Sequence, residues 1–221
     1  MNYPARPLPA SRRRFMAGCA AAGLGWIAGP SHAFADATEL GAPPGGESLA
    51  DQPTDRLIAR AQAELERLGA TIPQRDLVGI ADFSLPSHLP RFYLVDMRAG
   101  QITHSFLVAH GRGSDPQHSG RVQRFSNEVG SNASSEGAYR TGEQYIGKHG
   151  RSIRLDGLDS SNSNAEVRAI VIHSAPYVSA AVLQAQGKLG RSEGCFVFSD
   201  DDHELVLERL GPDRLLLAGM F

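Results

Sequence analysis

The stretch RFYLVDMRAGQITHSFLVA, residues 91–109, sets two short runs of aliphatic, aromatic and β-branched residues around Arg98-Ala99-Gly100. The runs Arg91 to Met97 and Gln101 to Ala109 are too short for independent helices and flank a turn. The pattern predicts a β-hairpin. Working outward, Leu77 to Phe83 reads as a strand before it, with further strands at Gln144 to Ile146, Ser152 to Leu155, Ala169 to His173 and Leu215 to Ala218. Leu57, Ile58, Ala61, Leu65 and Leu68 recur at helical spacing between Thr54 and Leu68, and Gly69 stops the pattern. Two more helices are expected at Tyr177 to Gln186 and Asp202 to Leu210. Residues 110–136 form a polar connection rich in Gly, Ser and Asn, longer than ordinary loops and of the kind that is functional or disordered. With no internal repeat and no alternation of strands with long helices, the expected fold class is α+β: mainly β and mainly antiparallel, with a few helices.

Composition limits the partners. Of 221 residues, 41% are hydrophobic, enough for a sizeable core. The formal charge is −2, but Arg6, Arg12, Arg13 and Arg14 lie in the first 35 residues, which hold no Asp or Glu; 18 basic residues then face 24 acidic ones. So acidic a remainder has no electrostatic footprint for nucleic acid.

The N-terminus carries a different signal. Ser11-Arg12-Arg13-Arg14-Phe15-Met16 precedes an uncharged run from Ala17 to Ala28 and resembles a twin-arginine export signal. That run is shorter than the ~20 apolar residues a membrane span needs, and Ala33-Phe34-Ala35 suits cleavage before Asp36. The expectation is a signal peptide over residues 1–35, recognised by the twin-arginine machinery, with no permanent membrane span and a periplasmic product. Met16-Ala17-Gly18-Cys19 looks like a lipidation box, but too few apolar residues precede Cys19 for that reading to lead. Residues 36–52, rich in Gly, Pro and acidic groups, read as a flexible linker. Residues 53–74 then hold the amphipathic helix, expected to pack on a domain over residues 75–221. Once residues 1–35 are removed, Cys195 is left without a partner, and an odd cysteine in an exported chain marks a reactive thiol.

The surroundings of Cys195 carry the chemistry. Ala169-Ile170-Val171-Ile172 is an apolar strand that ends in His173-Ser174, where a buried strand surfaces. After the next helix, Gly190-Arg191-Ser192-Glu193-Gly194-Cys195-Phe196-Val197-Phe198 delivers the thiol from a glycine-flanked turn into a second apolar strand. A free thiol is only a few per cent ionised at neutral pH, so it needs a base or a cation nearby. His173 supplies the base. Ser174, through its carbonyl or its hydroxyl, is the nearest group to fix the imidazole tautomer, and the N–H groups of Gly194 and Cys195 are placed to meet a developing oxyanion.

His173-Ser174-Ala175-Pro176 followed by Ser192-Glu193-Gly194-Cys195 resembles the His…Ser/Thr-x-Gly-Cys signature of the L,D-transpeptidase catalytic domain. Further blocks resemble one murein L,D-transpeptidase subgroup in the same order: Asp82 to Pro86, Val108 to Gly111, Arg124 to Asn127, Gly142 to Gly150 and Leu189 to Ser192. The resemblance covers roughly residues 75–221. It implies a β-sandwich-like mixed β domain, Cys195 as nucleophile, His173 as base and Ser174 as orienting neighbour. The implied substrate is a peptidoglycan stem peptide whose terminal D-Ala leaves, the acyl group passing to an amine or to water. No metal or cofactor is implied. His149, Tyr177, Arg191 and Ser192 are candidate substrate-binding residues, Arg191 to steady a stem carboxylate. Glu193 and Phe196 depart from the subgroup's pattern, and Glu193 puts a carboxylate beside the thiol, which opposes thiolate formation. Two alternatives stand beside this reading. His110, His149, His173 and Cys195 could form a zinc set, although no pair has close zinc-motif spacing; or the domain could bind cell wall without catalysis.

Overall fold

A computed structural model describes residues 53–221; the expected signal peptide, its cleavage site and the 36–52 linker lie outside the described residues. The first helix, α1, runs Pro53–Leu68. Leu57, Ile58, Ala61 and Leu65 are buried along one face, and each large aliphatic side chain so covered contributes roughly 1.5–3 kcal/mol. They pack on β1 (Gln74–Asp82) and on the sheet beyond it, against Val78, Ile80, Val95, Leu215 and Leu217.

Strands β2 (Phe92–Asp96) and β3 (Gln101–Phe106) form the expected hairpin. Then come β4 (Gly137–Gly147), β5 (Gly150–Gly157), β6 (Val171–Ser174), β7 (Phe196–Phe198) and β8 (Arg214–Gly219). All eight join one sheet in the order β3-β2-β1-β8-β4-β5-β6-β7. Most neighbours are antiparallel, as expected, but β1 with β8 and β6 with β7 are parallel. Beyond β3, Ala109 bridges antiparallel to Val197 of β7, so the two ends of the sheet meet. The enclosed face is aromatic: Phe92 meets Phe198 edge-on at 4.8 Å, and Tyr139 meets Phe196 at 5.6 Å.

Period-2 alternation sorts the strands. Leu215 and Leu217 face α1, while Leu216 and Ala218 face the aromatic interior. Helix α2 (Ala180–Gln186) crosses between β6 and β7; helix α3 (Asp200–Leu210) buries Val206, Leu207 and Leu210 against the aromatic core. Ser199 caps α3 by accepting from the Asp202 N–H at 3.1 Å, and Asp200, Asp201 and Asp202 suit the positive end of the helix dipole. The helix therefore starts two residues before the expected Asp202. Strand β4 is also longer than the Gln144–Ile146 expected. Residues Gly137 to Arg140 pair with β8, and Tyr139 to Gly147 pair with β5 across an irregularity between Thr141 and Gln144.

The long connection after β3 is pinned by buried polar groups. Asp115 accepts from the N–H groups of Ser119 (2.7 Å) and Gly120 (2.8 Å). Arg91 is fully buried and donates to the carbonyls of Leu85 and Val108 and to Nδ1 of His110 at 2.7 Å. Among the described residues, no helix is long and apolar enough to cross a membrane.

Candidate active site

The parallel pairing of β6 with β7 sets His173 opposite Val197. Phe196 and Phe198 point into the aromatic core and Val197 away from it. By alternation Cys195 shares Val197's face, and so does His173, whose neighbour Ile172 is in the core. A parallel pair needs a crossover, and the α2 segment provides it. Two residues 22 positions apart in the sequence therefore reach one cleft.

The turn that delivers Cys195 depends on Gly194. Its φ of +117° is a conformation that residues with a Cβ resist. A Cβ there would also stand 2.6 Å from the Ala133 carbonyl oxygen and 3.0 Å from Nη2 of Arg168. Ser192 holds the turn from within: its hydroxyl donates to the Cys195 carbonyl at 2.8 Å and accepts from the Gly194 N–H at 3.1 Å.

His173 is 3% exposed. Its Nδ1 lies 2.9 Å from the Ser174 carbonyl oxygen. A carbonyl can only accept, so Nδ1 carries the proton and Nε2 keeps its lone pair. Of the two routes open at Ser174, the structure uses the carbonyl. Burial pushes the His173 pKa down to about 4, with the Ser174 carbonyl opposing that shift and His149, His203 and Lys148 adding to it. Burial likewise raises the Cys195 thiol, partly offset by the Val171 N–H that hydrogen-bonds the sulfur. Both members of the pair are thus neutral at physiological pH. At rest the thiol donates to the Ala169 carbonyl at 3.6 Å; none of the described hydrogen bonds joins it to His173.

The surrounding cleft, of about 300 Å³, takes in His149, Tyr177, Arg191 and Ser192. His149, at the tip of the β4–β5 hairpin, stacks on His173 with ring centroids 4.1 Å apart. Tyr177 packs against Gly190, and its phenol is raised to about 12 by burial, then by Cys195 and Glu193. Arg191 donates to the Asp115 carbonyl, tying the cysteine turn to the long connection. Ser192 is buried with its hydroxyl engaged inside the turn, so what it brings to the cleft is the shape of that turn rather than a free hydroxyl. Gly194, expected to offer its N–H to an oxyanion, spends it on that same hydroxyl. The Cys195 N–H enters none of the described hydrogen bonds. Glu193 is paired with Arg112 at 2.8 Å, which offsets its carboxylate beside the thiol.

Arg168 escaped the reading of the sequence. It lines the cleft next to Cys195 and donates to the Ser126 and Ala133 carbonyls and to the Ser135 hydroxyl. Nothing in the run Glu166-Val167-Arg168 distinguishes it from a surface arginine, because its partners lie more than thirty residues away. His110 sits apart from the pair, between Arg91 and Asp115. Among the described residues, no three His, Cys, Asp or Glu gather as metal ligands.

The chain matches the model of the L,D-transpeptidase catalytic domain over residues 52–218. No curated protein matches it. Similar solved structures include an L,D-transpeptidase from Mycobacterium smegmatis, 13% identical with a TM-score of 0.40, covering 65% of this chain and 58% of that one. L,D-transpeptidase 3 from Mycobacterium tuberculosis, in complex with a faropenem-derived adduct, is 16% identical with a TM-score of 0.40, covering 65% and 60%. An L,D-transpeptidase from Stackebrandtia nassauensis is 11% identical with a TM-score of 0.40, covering 76% and 67%. The matched part of the first two spans about three fifths of their length. From the family match over most of its length, this chain belongs to the L,D-transpeptidase catalytic domain family.

Proposed function

We propose that this protein is a cysteine-dependent murein L,D-transpeptidase that acts on peptidoglycan stem peptides. The observation that carries the mechanism is the tautomer of His173: its Nδ1 proton is held by the Ser174 carbonyl, so the basic Nε2 belongs to a cleft that also holds the one cysteine among the described residues. In the first half-reaction the thiol leaves the Ala169 carbonyl and gives its proton to Nε2. Sγ adds to the carbonyl carbon preceding the terminal D-Ala; the C–N bond breaks, and the imidazolium protonates the departing amine. A thioester remains on Cys195. In the second half-reaction an amine or water attacks the thioester, His173 takes the proton, and the thiol is restored. An amine acceptor gives a cross-link or a protein attachment; water gives L,D-carboxypeptidase activity.

The rest of the cleft suits such a substrate. His149 covers the imidazole and Tyr177 supplies an apolar wall; Arg191, although its guanidinium is tied to the Asp115 carbonyl, lines the same cleft and adds positive charge to attract a stem carboxylate. The sequence of residues 1–35 supports export by the twin-arginine machinery to the periplasm, where the substrate is found. The test is intact-mass spectrometry of the protein with a carbapenem, whose strained carbonyl is a good electrophile for a thiol, followed by peptide mapping. The expected result is one adduct per chain, on Cys195, formed equally fast with a chelator present. An adduct elsewhere contradicts the nucleophile assignment.

A further inference from the structure

The cysteine turn lacks a donor that the reaction calls for. When Sγ adds to a carbonyl, the carbonyl electron pair moves to oxygen, and acyl-transfer sites meet that charge with preorganised N–H donors. The backbone offers the Cys195 N–H, but the adjoining Gly194 N–H is spent on Ser192. Four cationic side chains line the cleft, and three of them are ill-suited to fill the gap. Arg112 is engaged by Glu193 at the exposed rim, Arg191 reaches away to the Asp115 carbonyl, and Lys148 stands exposed on the hairpin tip.

Arg168 is different. Three acceptors on the 126–135 segment fix its guanidinium: the Ser126 carbonyl at 2.7 Å, the Ser135 hydroxyl at 3.1 Å and the Ala133 carbonyl. A guanidinium carries five N–H donors. Two on Nη1 and one on Nη2 are used, which leaves the Nε proton and one Nη2 proton outside the described hydrogen bonds. The same Nη2 lies 3.0 Å from where a Cβ on Gly194 would stand, so the glycine gives the guanidinium room beside the nucleophile's turn.

We propose that Arg168 is a catalytic residue of the acyl transfer, its clamped guanidinium completing the oxyanion site that the Cys195 N–H begins. It gives up no proton. It stabilises the oxyanion while the S–C bond forms and the bond to the leaving group breaks. The proposal rests on Cys195 being the nucleophile.

The experiment compares two reactions of the same thiol in the full-length protein. 4-Nitrophenyl acetate, uncharged and therefore without a carboxylate for arginine to bind, acylates through an oxyanion. Iodoacetamide alkylates by displacement and forms none. For R168Q, whose amide can still donate to the 126–135 segment, acylation is expected to slow by about 10²–10³-fold. Its alkylation on the alkaline plateau, where the thiol is fully ionised, should stay within about threefold of the wild-type rate, as expected if the effect depends on the oxyanion alone. R168K, which keeps the charge but not the fork, is expected to fall between R168Q and wild type; it decides the matter should R168Q fail to fold. Acylation at wild-type rate in either variant overturns the role of Arg168 and leaves Cys195 as nucleophile. Equal losses in acylation and alkylation, with a lowered melting temperature, also overturn it by showing a purely structural clamp. If wild-type protein is not acylated at Cys195, the function proposed above fails along with it.

Discussion

His110 and His173 share several properties. They are 1% and 3% exposed, each has Nδ1 in a hydrogen bond, and burial is the leading cause that pushes each down to about 4. They differ in the second nitrogen. At His110 the Arg91 guanidinium donates to Nδ1, so the proton sits on Nε2 and is given to Asp115 at 3.3 Å. Both nitrogens are committed, and the ring serves as a neutral spacer between a buried cation and a buried anion. At His173 the proton sits on Nδ1 and no described hydrogen bond uses Nε2. A depressed pKa therefore does not mark a base in this molecule. What sets His173 apart is an uncommitted lone pair on a cleft that holds a thiol, and the proposed base role rests on that.

The largest expected effect on this contrast comes from His173→Ala, which removes that lone pair. Acylation of Cys195 by a carbapenem should slow by about 10²–10⁴-fold with the melting temperature nearly unchanged; a rate indifferent to His173 would erase the distinction between the two histidines. His110→Ala should do the reverse. It removes the ring that joins Arg91 to Asp115 and leaves a cavity between them, although Arg91 keeps the Leu85 and Val108 carbonyls and Asp115 keeps the Ser119 and Gly120 N–H groups. The cost should be about 2–4 kcal/mol, read as a lower denaturant midpoint, while the folded fraction keeps acylation within about tenfold of wild type. Loss of acylation without loss of stability would mean that His110 takes part in the chemistry.

The third expectation concerns pH. In the unfolded chain both imidazoles titrate near the ordinary 6.5, and in the folded protein near 4. Between those values the unfolded chain binds more protons, so their contribution to stability is fully present above about 6.5 and is lost as pH falls through about 4. The acid limb of kcat/KM should lie near 4 as well, because an imidazolium cannot take the thiol proton. A limb near 6.5 would show an imidazole exposed to water in the working enzyme. The smallest effect is expected from Glu193→Gln. The pair with Arg112 is more than half exposed at both ends, and such pairs contribute about 0–1 kcal/mol, so acylation should change by no more than about fivefold. A larger change would place Glu193 in contact with the substrate.

The same contrast explains what could be read in the sequence. Features carried by local pattern were legible: α1 from its apolar spacing, the β2–β3 hairpin from its turn, and the strands beside His173 and Cys195 from short apolar runs, one leading into His173 and one starting just after Cys195. The parallel pairings β1–β8 and β6–β7 join segments far apart in the chain, and no local spacing encodes strand direction. The first half of β4, Gly137 to Thr141, is held by β8 across more than seventy residues, so tertiary pairing rather than propensity makes it a strand. In the site, Ser174 was legible as the residue beside the imidazole, but the choice between its carbonyl and its hydroxyl was not; the fold makes the contact through the carbonyl. Arg91 and Arg168 look like ordinary arginines until the fold surrounds them with carbonyl oxygens from distant segments.

The most direct test of the central claim is incubation of purified wild-type and Cys195→Ala protein with muropeptides bearing tetrapeptide stems, followed by mass spectrometry of the products. The account requires wild-type protein to release the terminal D-Ala and to yield cross-linked or tripeptide products, and the Cys195→Ala protein to leave the tetrapeptide intact. D-Ala release by the Cys195→Ala protein, or an unaltered tetrapeptide with the wild type, would contradict it.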